Sequence, residues 1–171
     1  MRWLGAIFIY WLTATAQAQA LQDELAPFEA LVGHTYRGEF APDKNGDIAV
    51  DISRWEAILN GRGIRISHSL NDGEYAGESL IYWDSKRQTI AFFYLTNAGF
   101  HTQGTGHFED GVFIANESVT GNSEGITNVI SHTTFTINGE MTVESFYLKG
   151  EEKWQGSKVI YQRDDGATLR Y

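Results

Sequence analysis

The spacing of apolar residues changes character twice along this chain. Residues 3–12 are a continuous apolar run behind Met1 and Arg2. Near-helical spacing follows over 21–32, with Leu25, Phe28, Leu31 and Val32 on one face, and from Gly33 onward apolar and polar residues alternate. Helical spacing predicts a short N-terminal helix, with Asp23 and Glu24 in its early part, Pro27 opening the first turn of a second piece, and Gly33 as the stop. Alternation of period two predicts strands.

Ten strands are expected, over 34–41, 48–59, 63–70, 78–83, 89–96, 99–108, 112–119, 126–137, 140–148 and 156–163. Turn clusters separate them, among them Asn60-Gly61, Asn71-Asp72-Gly73, Asp110-Gly111 and Asn138-Gly139. Asn-Gly and Asp-Gly between alternating runs signal hairpins, because both central residues of a type I′ turn need positive φ. No stretch of ten or more residues after Gly33 keeps helical period, which excludes βαβ architectures. A meander this long either exposes two edges or closes on itself. Closure removes the edges, so the expected fold is all-β, an up-and-down antiparallel barrel of about ten strands with a short N-terminal helix. One run changes parity: Ile48, Val50 and Ile52 alternate, then Trp55, Ala57 and Leu59. That change predicts a bulge near Ser53 and Arg54.

Turn positions also predict which faces look inward. With Asn138-Gly139 as a two-residue turn, Thr136 faces Met141, Thr134 faces Val143, His132 faces Ser145 and Ile130 faces Tyr147. That face is free of formal charge and mixes hydroxyl groups and an imidazole with aliphatics, a composition suited to a cavity wall. Tyr82, Tyr94, His132 and Tyr147 are the expected wall residues. Across Asn60-Gly61, Glu56 and Arg65 are expected opposite each other, as a surface ion pair or as an inward clamp for a polar ligand group.

Composition narrows the classes. There are 22 acidic and 13 basic residues, a formal charge of −9, and no Cys. The acidic balance argues against a nucleic-acid or anionic-membrane partner. Without Cys there is no disulfide scaffold, thiolate catalysis or Cys-ligated metal. Arg2, the ten-residue apolar run and the pairs Ala16-Gln17-Ala18 and Ala18-Gln19-Ala20 read residues 1–20 as a cleavable secretory signal. The run is about half the ~20 residues of a membrane span. The expected product is one exported domain, 21–171, periplasmic or secreted and without a membrane span after cleavage.

Three local motifs are weighed and set aside. Gly121-Asn122-Ser123-Glu124-Gly125 matches G-x-S-x-G, but a nucleophile elbow needs a following helix and residues 126–130 read as a strand. Asp43-Lys44-Asn45-Gly46-Asp47 opens like a calcium loop, yet Ile48 and Arg54 stand where Gly and Glu are required. Asn116-Glu117-Ser118 is a glycan acceptor only in a eukaryotic secretory pathway. The five histidines form no H-x-x-x-H pair, although separate strands of a barrel can bring His68, His101 or His132 to a metal or haem.

Several segments together resemble a bacterial family with a lipocalin-like, calycin-type fold, catalogued as a domain of unknown function. They are Phe28-Glu29-Ala30-Leu31-Val32-Gly33 with Tyr36 and Gly38, residues 55–62, Gly77 leading to Ile81-Tyr82-Trp83-Asp84, Gly104-Thr105-Gly106, and Lys158-Val159-Ile160-Tyr161-Gln162-Arg163. Tyr36 stands where such families usually carry Trp. The resemblance implies a barrel with its helix near one opening, and no catalytic residues.

The expected function is an exported barrel holding a small, largely apolar ligand, with Tyr82, Tyr94, His132 and Tyr147 as walls and Glu56 and Arg65 as a polar clamp. The alternatives are a haem or metal binder through His68, His101 or His132, and an enzyme with Glu56 or His132 as acid/base. A last one is an interaction module using an outer row of Ile81, Trp83, Phe93 and Leu95.

Overall fold

The computed structural model describes residues 20–171. The signal-peptide reading of residues 1–20 therefore falls outside the described residues, apart from Ala20. Ten strands follow one another: β1 (Thr35–Glu39), β2 (Val50–Ile58), β3 (Gly63–Leu70), β4 (Tyr75–Asp84) and β5 (Thr89–Thr96). Next come β6 (His101–Glu109), β7 (Val112–Thr120), β8 (Asn128–Phe135), β9 (Met141–Lys149) and β10 (Glu152–Arg163). Each pairs antiparallel with its neighbours in sequence, and β1 pairs with β10 to close the barrel. The expected fold class holds.

The helix-like stretch is a 3-10 helix, Asp23–Phe28, with Pro27 inside it. Its apolar side enters one end of the barrel. Leu25 and Leu31 are fully buried and Phe28 nearly so, and Phe28 packs against Trp55, Phe108, Phe113 and Phe135 with ring centroids 5.0–6.1 Å apart. Backbone bonds from Gln22 N–H to Gly61 and from Gly33 N–H to Trp55 hold the segment at both ends. Tyr36 is completely buried, and its hydroxyl donates to the carbonyls of Ala30 and Leu31. Ile64, Ile81 and Ile90 complete this floor. The core thus occupies the end of the barrel that carries the 59–62, 110–111 and 136–140 turns.

Two local expectations fail for identifiable reasons. No bulge lies at Ser53 and Arg54: β2 keeps one register against β1 and β3 throughout. Asp51, Ser53 and Trp55 face inward, whereas Val50 and Ile52 face outward and line a crevice beneath the C-terminal tail. That tail is held by the Asp164 N–H to Thr35 bond and by a Ser69 hydroxyl bond to the Arg170 carbonyl. Apolar residues on both faces of β2 mimic a parity switch. The bulge is in β10, where Gly156 and Ser157 together oppose Ser145.

The second failure is the β8–β9 turn. Thr136 pairs with Glu140, and Gly139 alone in the loop has positive φ, so the connection has three residues rather than two. Phe135 then opposes Met141, Thr133 opposes Val143 and Ser131 opposes Ser145. The assignment of Met141, Val143, Ser145 and Tyr147 to the inner wall stands, and β8 contributes Val129, Ser131, Thr133 and Phe135 instead of Ile130, His132, Thr134 and Thr136.

Phe28 carries the packing of the closed end, so Phe28→Ala should lower the unfolding free energy by about 3–5 kcal/mol, the usual loss for a fully buried Phe. Urea denaturation followed by far-UV circular dichroism measures it.

Candidate functional site

Above the floor the barrel is hollow. A cavity of about 530 Å³ extends from Trp55, Phe92 and Met141 to the rim residues Asn122, Glu124 and Ile126. Its size falls within the range of about 300–1,000 Å³ usual for small-molecule sites. The hollow exists because many inward positions are small: Ser53, Ser79, Ser131, Ser145 and Ser157 all line it. A larger crevice of about 690 Å³ lies outside, between the C-terminal tail and the β1–β3 surface. Buried titratable groups converge on the lumen and not on that crevice, which makes the lumen the candidate site.

One wall carries a continuous hydrogen-bonded chain. Asp51 on β2 accepts from the Tyr161 hydroxyl on β10 at 3.0 Å, and its other oxygen lies 2.9 Å from His68 Nδ1 on β3. His68 Nε2 is 2.7 Å from the Tyr94 hydroxyl on β5, which is 2.6 Å from the Tyr75 hydroxyl on β4. An Nδ1–H tautomer of His68 gives the chain one consistent direction of donation. Nδ1–H donates to Asp51, Nε2 accepts from Tyr94, and Tyr94 accepts from Tyr75. Tyr94 has room to lie across the wall because β4 carries Gly77 there; a Cβ at that position would collide with its ring and with the Leu95 carbonyl. Burial pushes the phenol of Tyr94 far above its ordinary range, with the neighbouring Tyr75 adding to the rise. Burial also raises Tyr75 and Tyr161, the latter helped by the charge of Asp51. These phenols stay protonated and serve as hydrogen-bond groups.

Beyond Tyr94 the wall continues through Thr102 on β6, its cross-strand partner, to Glu117 on β7. Thr102 Oγ1 donates to its Oε2 at 2.5 Å, and no ion-pair partner reaches it among the described residues. Its side chain borders the cavity and keeps some accessible area, yet protein encloses the carboxyl almost completely. That burial raises its pKa, opposed in part by the Thr102 bond. Aromatic rings gather toward the rim: Phe100 stacks on Tyr75 at 6.2 Å, and Tyr147 meets Trp154 edge-on at 6.1 Å.

The residues nominated from sequence divide between the two faces. Tyr94 and Tyr147 line the cavity. Tyr82, 46% exposed, is on the outside, because Ile81 takes the inward position on β4. His132 is outside as well, 5.3 Å from the Phe146 ring, with Glu144 directly opposite on β9. The three-residue turn put it there. Glu56 and Arg65 are directly opposite, as expected, and bonded at 2.7 Å, but on the outer surface beside Arg54. An exposed pair of this kind contributes about 0–1 kcal/mol to stability and does not clamp a lumen ligand.

Among the metal candidates, His68 faces the cavity with both nitrogens engaged, while His101 stacks on Phe93 outside at 5.4 Å. No group of three metal-ligating side chains converges among the described residues. The outer apolar row also splits: Ile81 and Trp83 pack into the core, and Phe93 and Leu95 face outward.

Asp51, Tyr75, Tyr161 and Glu117 were missed. Asp51, next to the start of β2, and Glu117, within β7, sit at strand positions where a charge normally marks the solvent face. The available signal was alternation: each stands two residues from an inward neighbour, Ser53 and Ala115 respectively.

No helix among the described residues is long and apolar enough to cross a membrane. Neither a protein-family model nor a curated protein matches the chain.

The raised pKa of Glu117 carries a stability consequence. Folding favours its protonated form, so its contribution is most favourable below the unfolded value of about 4.3 and is lost as pH rises through the higher folded value. Glu117→Gln, which keeps an acceptor for Thr102, should therefore be more stable than the parent near neutral pH. The gap should close on acidification. Thermal melts of both proteins across the acid range measure it.

Proposed function

We propose that the protein is an exported binding barrel that holds a small molecule with a largely apolar body and one hydrogen-bonding group in its lumen. The observation that carries this reading is the 530 Å³ cavity, whose apolar surfaces are interrupted by two polar stations, the Asp51–His68–Tyr94–Tyr75 chain and Glu117. Trp55, Ile66, Phe92, Val119, Val129 and Val143 provide the apolar contact. Glu117 orients a bound molecule, since a ligand group that fails to meet it leaves its second oxygen unpaired, while the completed chain gives that wall its shape. Export is supported by the basic start, short apolar run and A-x-A pairs of residues 1–20. The likeness to lipocalin-type chains in residues 28–163 agrees with a lumen binder.

The haem or metal alternative is less favoured by the geometry. His68 would have to release Tyr94 to coordinate iron through Nε2, and release Asp51 to use Nδ1. The enzyme alternative loses both nominated acid/base residues, because Glu56 and His132 are on the outer surface.

A neutral fluorescent probe such as N-phenylnaphthylamine should bind the purified protein with one site per chain. Val143→Trp, which places an indole in the lumen, should weaken binding by about tenfold or more, a change of about 1.4 kcal/mol. Tyr82→Ala and His132→Ala should leave it unchanged. Equal losses in all three variants, or no binding by the parent, would defeat the lumen reading.

A further inference from the structure

The binding-barrel reading leaves the charge of the ligand open, and the composition of the cavity wall speaks to it. Three acids line the cavity, Asp51, Glu117 and Glu124, and no Lys or Arg lines it among the described residues. The three acids differ in what answers them. Asp51 is held by His68 and Tyr161. Glu124 is at the rim, where Lys149 Nζ binds its carbonyl at 3.2 Å. Glu117 is set into the wall with a single hydroxyl donor, Thr102, for its two oxygens. Tyr94 is paired across the sheet with Thr102, the donor to Glu117, and Tyr75 is bonded to Tyr94. Phe100 backs Tyr75.

We propose, building on the binding-barrel reading, that the lumen selects a lipophilic monocation, an ammonium group on a flat apolar body, with the ammonium at Glu117 and the body against the aromatic and aliphatic wall. Three arguments converge. An anion would enter a chamber lined by three acids and, among the described residues, by no Lys or Arg, and would be buried without a cationic side chain beside it. A neutral molecule can at most donate a hydrogen bond to Glu117 and brings no charge to offset the burial of its carboxylate. An ammonium supplies up to three N–H donors and a compensating charge. A doubly charged or highly hydrated cation is disfavoured by the apolar walls. Asp51 does not compete for the ammonium, since both its oxygens are already engaged.

Three matched compounds test this on the full mature protein: naphthylmethylamine, naphthylmethanol and naphthoic acid, which share a ring system and differ in charge. Isothermal titration near neutral pH should give the amine an affinity about ten- to a hundredfold above the alcohol, the worth of a charge-assisted hydrogen bond. The acid should bind more weakly than either. Glu117→Gln should bring the amine down to the level of the alcohol and leave the alcohol within about twofold of its parent affinity. Glu124→Gln should leave the amine preference in place. Equal binding of amine and alcohol by the parent, or an amine preference that survives Glu117→Gln, overturns the cation proposal while the neutral probe still reports a binding lumen. Failure of all three compounds together with the neutral probe overturns both. Where Glu117→Gln does not fold, the ranking of the three compounds on the parent protein decides alone.

Discussion

Closing ten strands into a barrel fixes its width, and width decides everything that happens inside. Barrel diameter grows roughly in proportion to strand number, and about eight strands already give an interior that side chains just fill. Here ten strands close through the β1–β10 pairing of Tyr36–Glu39 with Ile160–Arg163. The inward positions cannot span the resulting space, because many are Ser, Thr or Gly. Something else must occupy the lumen or part of it stays open to a guest. The N-terminal segment takes one end: Leu25, Phe28 and Leu31 supply the apolar volume that the strands lack there. Beyond Trp55 no segment of the described residues enters, and the cavity begins.

Polar groups in such a space are costly unless each is answered. The wall of β2, β3, β4, β5 and β10 meets that demand with a chain of five side chains in which every member has a partner. Low dielectric strengthens such a chain when it is complete and penalises it when a link is missing. Its geometry depends on backbone choices that have no polar character themselves. Gly77 leaves space for Tyr94, and the β10 bulge sets Gly156 beneath Tyr147, where a Cβ would meet the ring at 2.5 Å. The site is thus built as much from absent side chains as from present ones.

The fold was legible in the sequence because its signals are redundant. Ten alternating runs and the turn residues between them all point to one meander, and an error at one turn leaves the topology intact. The site was less legible because facing depends on single residues. One extra residue in the 137–139 loop exchanged Ser131 for His132 on the wall. The tail over Val50 and Ile52 turned an ordinary two-sided strand into an apparent bulge. Asn60-Gly61 gave the Glu56–Arg65 pairing correctly, since its longer loop preserves the register of a two-residue turn. Alternation alone could not tell which face of that hairpin was inner, and the burial of Trp55 decides it.

Glu117 and Asp51 present the same chemistry in two different states of completion. Asp51 is enclosed by partners from two other strands, so its burial is compensated and it serves the architecture. Glu117 has one donor and an interior setting that disfavours its charge. Nothing in the packing of β7 needs a carboxyl there: Ala115 and Val119, the inward neighbours on either side, meet the wall with apolar groups. A buried carboxyl that completes no internal network fits the proposed reading, in which its partner arrives only when the lumen is occupied. The same reasoning gives the two stations distinct parts. The completed chain fixes the shape of the chamber, and on the proposed reading the uncompleted carboxyl supplies the charge for a guest.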